Sequence, residues 1–198
     1  VWLKTPFIAL GGRYGLLAFL LLLLGTGVWM IWRDRKAGGE FQPRILALMV
    51  GESVVLALVF GSVAGVLTNL LLHGSTGLMI GGVGGLGLST RLMVSLGAGI
   101  YEELLFRVVL ISGLLLLSGK VFRWGPVTSA LFSVVVAAFI FSASHYIGSL
   151  GDTLTLGSFT FRFVAGLLLS GLFVLRGLGI TAWTHALYDV FLTVAGVG

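Results

Sequence analysis

The chain has 198 residues, 58% of them hydrophobic and only 10% charged, where a soluble domain carries about 25% charged residues. So much apolar surface points to a bilayer as the solvent. Lys and Arg outnumber Asp and Glu by 12 to 7, but they sit between apolar runs and do not cluster on a face, which is the distribution of topology signals and not of a nucleic-acid binder. No Cys is present, which excludes a disulfide framework, a thiol nucleophile and a Cys-based metal site.

The first apolar segment covers residues 14–32. It is too long and too apolar for an ordinary signal sequence, so a retained membrane helix is expected. "RDRKAGGEFQPR" (33–44) reads as a loop, and a second apolar segment, 45–72, carries Glu52. A Gly-rich connection follows over 73–89, with room for a short interfacial or re-entrant piece. Gly82–Gly87 spells G-x-G-x-x-G there, but no strand precedes it, so it carries no weight as a nucleotide site. The third segment, 91–117, holds Glu102, Glu103 and Arg107; the fourth, 126–149, holds His145. The fifth, 158–175, has Arg162 near one end, and "RGLG" (176–179) links it to the sixth, 178–197, with His185 and Asp189. Each segment is near or above the ~17–25 residues that span a bilayer. The expected fold is therefore all-α: a polytopic membrane helical bundle of about six transmembrane helices, forming one domain over 1–198.

Loop charges orient this bundle. Arg33, Arg35, Lys36, Arg44, Lys120, Arg123 and Arg176 fall on one side, against Lys4, Arg13, Arg91 and Arg162 on the other. The positive-inside rule places loop 33–44 in the cytoplasm and both termini outside.

Ionised groups in lipid cost several kcal/mol each unless they are paired or used, on the order of 3 kcal/mol at a helix centre. Spacing suggests the pairing. Glu103 and Arg107 are four apart with the acid N-terminal, the favourable order for an ion pair. Glu102 is rotated by about 100° from Glu103, so the two carboxylates are not expected to face one partner. His185 and Asp189 are again four apart, which lets a carboxylate hold an imidazole in one tautomer or lets both bind one metal. At ~1.5 Å per residue, Glu102 lies ~16 Å below the outer face and His145 ~9 Å, while His185 and Glu52 lie ~12 Å above the inner face. Four helices would thus bring ionisable groups to a middle band. Glu52 is isolated in sequence and is not expected to act directly.

In chain order the polar residues read E-E-x-x-x-R (Glu102, Glu103, Arg107), F-x-x-x-H (Phe141, His145) and H-x-x-x-D (His185, Asp189). This pattern resembles the CPBP family of intramembrane proteases, also called the CAAX amino-terminal protease or Abi family. Each motif is short; three in order on the third, fourth and sixth apolar segments, within 102–189, are specific. The resemblance implies hydrolysis of a peptide bond in a membrane-associated protein or peptide. By motif position Glu102 would be the general base that activates water. His145 would orient that water or bind a metal. His185 and Asp189 would stabilise the oxyanion or complete a metal site, although an anionic Asp189 cannot itself donate a hydrogen bond. Glu103 and Arg107 would fix the helix and tune the field. Asp189 fits the wider family and weighs against prenyl-protein processing in particular. Glu102, His145, His185 and Asp189 are the candidate metal ligands, and Zn²⁺ suits them by ligand type; H-E-x-x-H is absent, and the balance tips to a metal-free mechanism. Expected partners are the bilayer and a membrane-associated substrate, with no nucleic acid. The expected location is a bacterial inner membrane. Two other readings compete: a catalytically silent scaffold or accessory subunit working with other membrane proteins, and a proton or transport pathway, against which no inverted repeat is visible.

Overall fold

The structure is a computed structural model that describes residues 42–73, 88–147 and 151–196, together with isolated helical positions between 21 and 36. The expected first helix at 14–32 and the Gly-rich connection at 73–89 therefore lie largely outside the described residues. Five helices make up the rest: α1 (Pro43–Leu71), α2 (88–121), α3 (Pro126–Ser144), α4 (Leu156–Arg176) and α5 (Leu178–Val194). Four spans, Pro43–Leu71, Arg91–Val121, Pro126–Ser144 and Leu156–Arg176, are long and apolar enough to cross a membrane. With α5 packed among them, the protein is a helical membrane bundle.

Local chemistry sets the helix ends. Pro43 and Pro126 open α1 and α3, where the missing N–H is no loss and the fixed φ is already helical. Thr155 caps α4 by accepting from the Ser158 N–H at 3.2 Å. Gly177, at φ +80°, turns the chain sharply from α4 into α5. α3 ends at Ser144, five residues before the expected 149, and His145 is its C-cap. α2 instead outruns the expected 117. It is α-helical over Leu88–Glu103, π-helical over Leu104–Ile111 and Leu117–Val121, with a short α turn at Ser112–Leu116 between them. Backbone groups in lipid must bond within their own segment, so the helix continues through Ser118, Gly119 and Lys120 where the composition suggested a break.

Large side chains such as Val55, Leu58, Val66 and Leu70 face outward from α1, while Ser53, Ala57, Phe60, Ala64 and Thr68 recur every three to four residues on its inner stripe. With lipid as solvent the hydrophobic effect does not drive helices together, so small inner residues that permit close contact matter most. Gly99 shows this: a Cβ there would come within 2.9 Å of the Ala186 Cα. Buried hydroxyls lock the helices across their contacts. Ser53 Oγ donates to the Ile180 carbonyl at 3.3 Å, Ser142 Oγ to the Phe159 carbonyl at 2.7 Å, and Ser95 pairs with Thr193 at 2.9 Å. α5 packs against both α1 and α2, and α3 packs along α4. The two glutamates of α2 are thereby brought against the histidine and aspartate of α5.

One expected member of the middle band is elsewhere. Glu52 accepts from Arg176 Nε at 2.9 Å, at the far end of α4. α1 is seated low against α5, with Ser53 level with Ile180, so Glu52 lies more than a turn below His185.

Candidate active site

Arg107 and Glu103 face each other across one turn of α2, with Arg107 Nη1 3.0 Å from Glu103 Oε1 and both side chains sealed from solvent. This is the pairing the spacing implied. The guanidinium also lies over the Phe141 ring, 4.8 Å from its centroid, a cation–π contact that favours a cation among apolar neighbours. Glu103 has a second partner that the spacing did not reveal: it accepts from His185 Nδ1 at 2.7 Å. The carboxylate that holds His185 is therefore Glu103 of α2, and not Asp189 one turn along α5. Asp189 Oδ2 lies 3.7 Å from His185 Nε2, beyond hydrogen-bond length.

Glu102 also approaches His185, with its Oε2 3.9 Å from Nε2. The expectation that the two carboxylates could not share a partner is corrected here. An imidazole has nitrogens on two edges, so groups on different helix faces can reach the same ring from different sides. Their surroundings differ sharply: the Glu103 side chain is 0% exposed, while Glu102 and Asp189 are 21% and 29% exposed. Glu103 serves as a dry brace. Glu102 and Asp189 are partly exposed and lie on the Nε2 side of the ring.

His145 closes the group from the end of α3. Its Nδ1 lies 2.9 Å from the Phe141 carbonyl oxygen. A carbonyl only accepts, so Nδ1 carries the hydrogen and Nε2 is the acceptor in the neutral ring. Phe141 stands between the two imidazoles, in edge contact with His145 at 4.9 Å and His185 at 6.1 Å. It also meets Phe106 of α2 edge-on at 5.1 Å, so one aromatic ring spaces both histidines and backs Arg107. A cavity of about 160 Å³ opens beside them, with His145, His185, Asp189 and Arg162 in its polar wall and Phe60, Phe161, Leu169 and Leu192 in its apolar wall. Glu102 is not a wall residue and meets this space through the His185 edge.

Among the described residues no three His, Asp or Glu side chains converge as a metal-binding group. Both histidines engage Nδ1 with a protein acceptor, which leaves each Nε2 free.

The sequence reading missed a polar network beside the cavity. Arg162 Nη1 donates to the Tyr146 hydroxyl at 2.8 Å, and its Nη2 donates to Asp152. Tyr146 also pairs with Ser158 at 2.8 Å. Arg162 had been read as an end-of-helix charge. The available signal was its place inside the apolar run "FTFRFVAG", which requires a counter-ion, but Asp152 is ten residues away at no helical spacing.

A membrane helix bundle with a sealed Arg–Glu–His row, two partly exposed carboxylates on the Nε2 side and a second histidine beside it, defines a class: polytopic membrane proteins with an intramembrane ionisable site. The chain belongs within that class to the Rce1-like family of type II CAAX prenyl endopeptidases, whose family model matches residues 85–191, more than half of the sequence and all of Glu102, Glu103, Arg107, His145, His185 and Asp189. This agrees with the resemblance drawn from the three motifs, and it makes the protein a member of a membrane endopeptidase family. No curated protein and no solved structure matches the chain.

Proposed function

We propose that the protein is an intramembrane endopeptidase that hydrolyses a peptide bond of a membrane-associated protein or peptide with water activated by Glu102. The observation that carries this reading is the division between the two glutamates. Glu103 is buried and fixes His185 through Nδ1, while Glu102 is partly exposed and faces Nε2 across 3.9 Å. A polar gap of that width is suited to a bridging water.

In the proposed reaction Glu102 takes a proton from that water, and the hydroxide attacks the scissile carbonyl carbon. The Nε2 acceptor of His145 orients the water from the cavity wall. His185, carrying a proton on Nε2, donates to the oxyanion, and Asp189 at 3.7 Å steadies the charged ring. Glu102 then delivers its proton to the departing amine nitrogen. The apolar wall of the cavity suits an aliphatic or aromatic side chain next to the cleaved bond. Loop 33–44 is read as cytoplasmic. Arg33 and Lys36, near its start, lie over the Trp29 and Trp32 rings at 5.6 and 4.0 Å, an aromatic–cation arrangement suited to a membrane interface.

The test is cleavage of membrane-tethered peptides by the protein reconstituted in liposomes, with products read by mass spectrometry. Glu102→Gln keeps the shape and removes the base, and turnover should fall about 10²–10⁴-fold. Retained cleavage in that variant would refute the assignment. A wild-type protein that cleaves nothing but co-purifies constantly with a membrane partner would favour the scaffold reading.

A further inference from the structure

His145 occupies a weak position for a residue with a demanding task. It is the C-cap of α3, and helix ends fray with little resistance. A catalytic constellation needs its groups held within about 0.5 Å. The bond from Nδ1 to the Phe141 carbonyl fixes the ring relative to α3 but does not hold the end of α3 in place.

The residues just after His145 are tied down from α4. The chain leaves His145 through Tyr146 and returns at Asp152, whose N–H donates to the His145 carbonyl at 2.9 Å. The return is tight: a Cβ on Gly151 would come within 2.8 Å of the Tyr146 carbonyl carbon. Arg162, in the second turn of α4, binds both sides of this turn at once. One arm of its fork donates to the Tyr146 hydroxyl at 2.8 Å and the other to the Asp152 carboxylate. The guanidinium also lies over the Tyr146 ring, 5.2 Å from its centroid. Tyr146 is held further by Ser158 at 2.8 Å, and by stacking on Phe159 at 6.1 Å. The Arg162 side chain is 16% exposed and that of Asp152 38%, so the guanidinium is held largely out of solvent while its carboxylate partner is at the surface.

We propose that Arg162 is a positioning residue for His145: by fastening Tyr146 and Asp152 to α4, it holds the end of α3 at the cavity wall. The proposal rests on the reading of His145 as the group that orients water. It extends the site to a fourth helix, which carries none of the three motifs.

The test uses the full chain in liposomes and the tethered-peptide reporter. Arg162→Ala should lower kcat about 10–100-fold, the scale of a misplacement near 1 Å, with KM within about twofold of wild type. Arg162→Lys should fall between the two, because one ammonium cannot serve Tyr146 and Asp152 as a planar fork does. Asp152→Asn combined with Arg162→Ala should be no worse than Arg162→Ala alone, since both changes break one link. If KM rises while kcat is kept, Arg162 holds substrate and the proposal is overturned; multiplying losses in the double variant overturn it too. Where Arg162→Ala does not fold, Tyr146→Phe and Asp152→Asn carry the same comparison. A second readout does not need cleavage. In protein labelled with ¹⁵N-histidine, Arg162→Ala should shift and broaden the His145 ring signals and leave those of His185 in place. Unchanged His145 signals refute the positioning role. A wild-type protein that cleaves no reporter defeats the protease reading, and the ring signals still decide this one.

Discussion

Replacing Glu103 by Gln removes one charge and almost no volume, at a fully buried point. Arg107 is fully buried, and among the described residues its Nε and both Nη atoms have no hydrogen-bond partner. Its compensation is the Glu103 carboxylate at 3.0 Å and the Phe141 ring at 4.8 Å. The ring contact contributes about 0.5–2 kcal/mol. Taking one partner from a buried ion pair costs about 3–5 kcal/mol, a large share of a total stability of about 5–15 kcal/mol. Glu103→Gln should therefore destabilise the protein by about 3–5 kcal/mol. The amide oxygen can still accept from His185 Nδ1–H, so the loss isolates the charge. Adding Arg107→Met removes the stranded cation, and the double variant should return to within about 1 kcal/mol of wild type, because buried pairs are commonly replaceable by apolar groups. Reversible unfolding in mixed micelles, followed by circular dichroism, measures all three variants. A Glu103→Gln protein as stable as wild type would refute the argument, and so would a double variant whose loss is the sum of the two singles.

Gly99→Ala should cost about 1–3 kcal/mol and lower turnover with it, because its Cβ would meet the Ala186 backbone at 2.9–3.0 Å and push α2 from α5 beside His185. Gly171→Ala, with nothing within 4 Å, is the control and should leave both unchanged in the same unfolding and cleavage assays. Gly61→Ala should alter selectivity more than stability: its Cβ would lie 2.6 Å from Tyr188 Cε2, and the ring, which also packs edge-on against Phe60, would yield toward the cavity it lines. The ratio of kcat/KM for matched leucine and alanine reporters should fall, and an unchanged ratio would refute the placement of the substrate side chain.

The motif residues were legible because intramembrane charge is rare and helical spacing is rigid. Glu103 and Arg107 could be paired from their separation, whereas the helix end at His145 fell four residues short of the apolar run that contains it. Contacts across helices were not legible in the same way. Nothing in the spacing tells that α5 packs so closely on α2 that Gly99 touches Ala186, and that approach is what brings Glu103 to His185 Nδ1. The nearer sequence partner, Asp189, therefore drew the assignment. Glu52 was misplaced for a related reason: depth counted from loop ends assumes equal helix offsets, while α1 is seated low against α5. The π-helical stretch after Glu103 has no sequence signature, since apart from Arg107 its residues are ordinary apolar ones.

The refined picture changes why two adjacent glutamates are useful. On a helix they diverge by about 100°, and a single imidazole can still receive both, one at each edge. Polar groups then follow one another from the sealed interior outward: the Arg107 guanidinium, the Glu103 carboxylate, the His185 ring, and finally the partly exposed Glu102 and Asp189. Arg107 compensates the Glu103 carboxylate at 3.0 Å, and Glu103 fixes which edge of His185 faces Glu102 and Asp189. In the proposed reaction a lone glutamate could not fill both posts, because the brace is sealed and the base must meet water. The His–Asp pair of α5 cannot replace that brace, because Asp189 lies on the Nε2 edge of the ring.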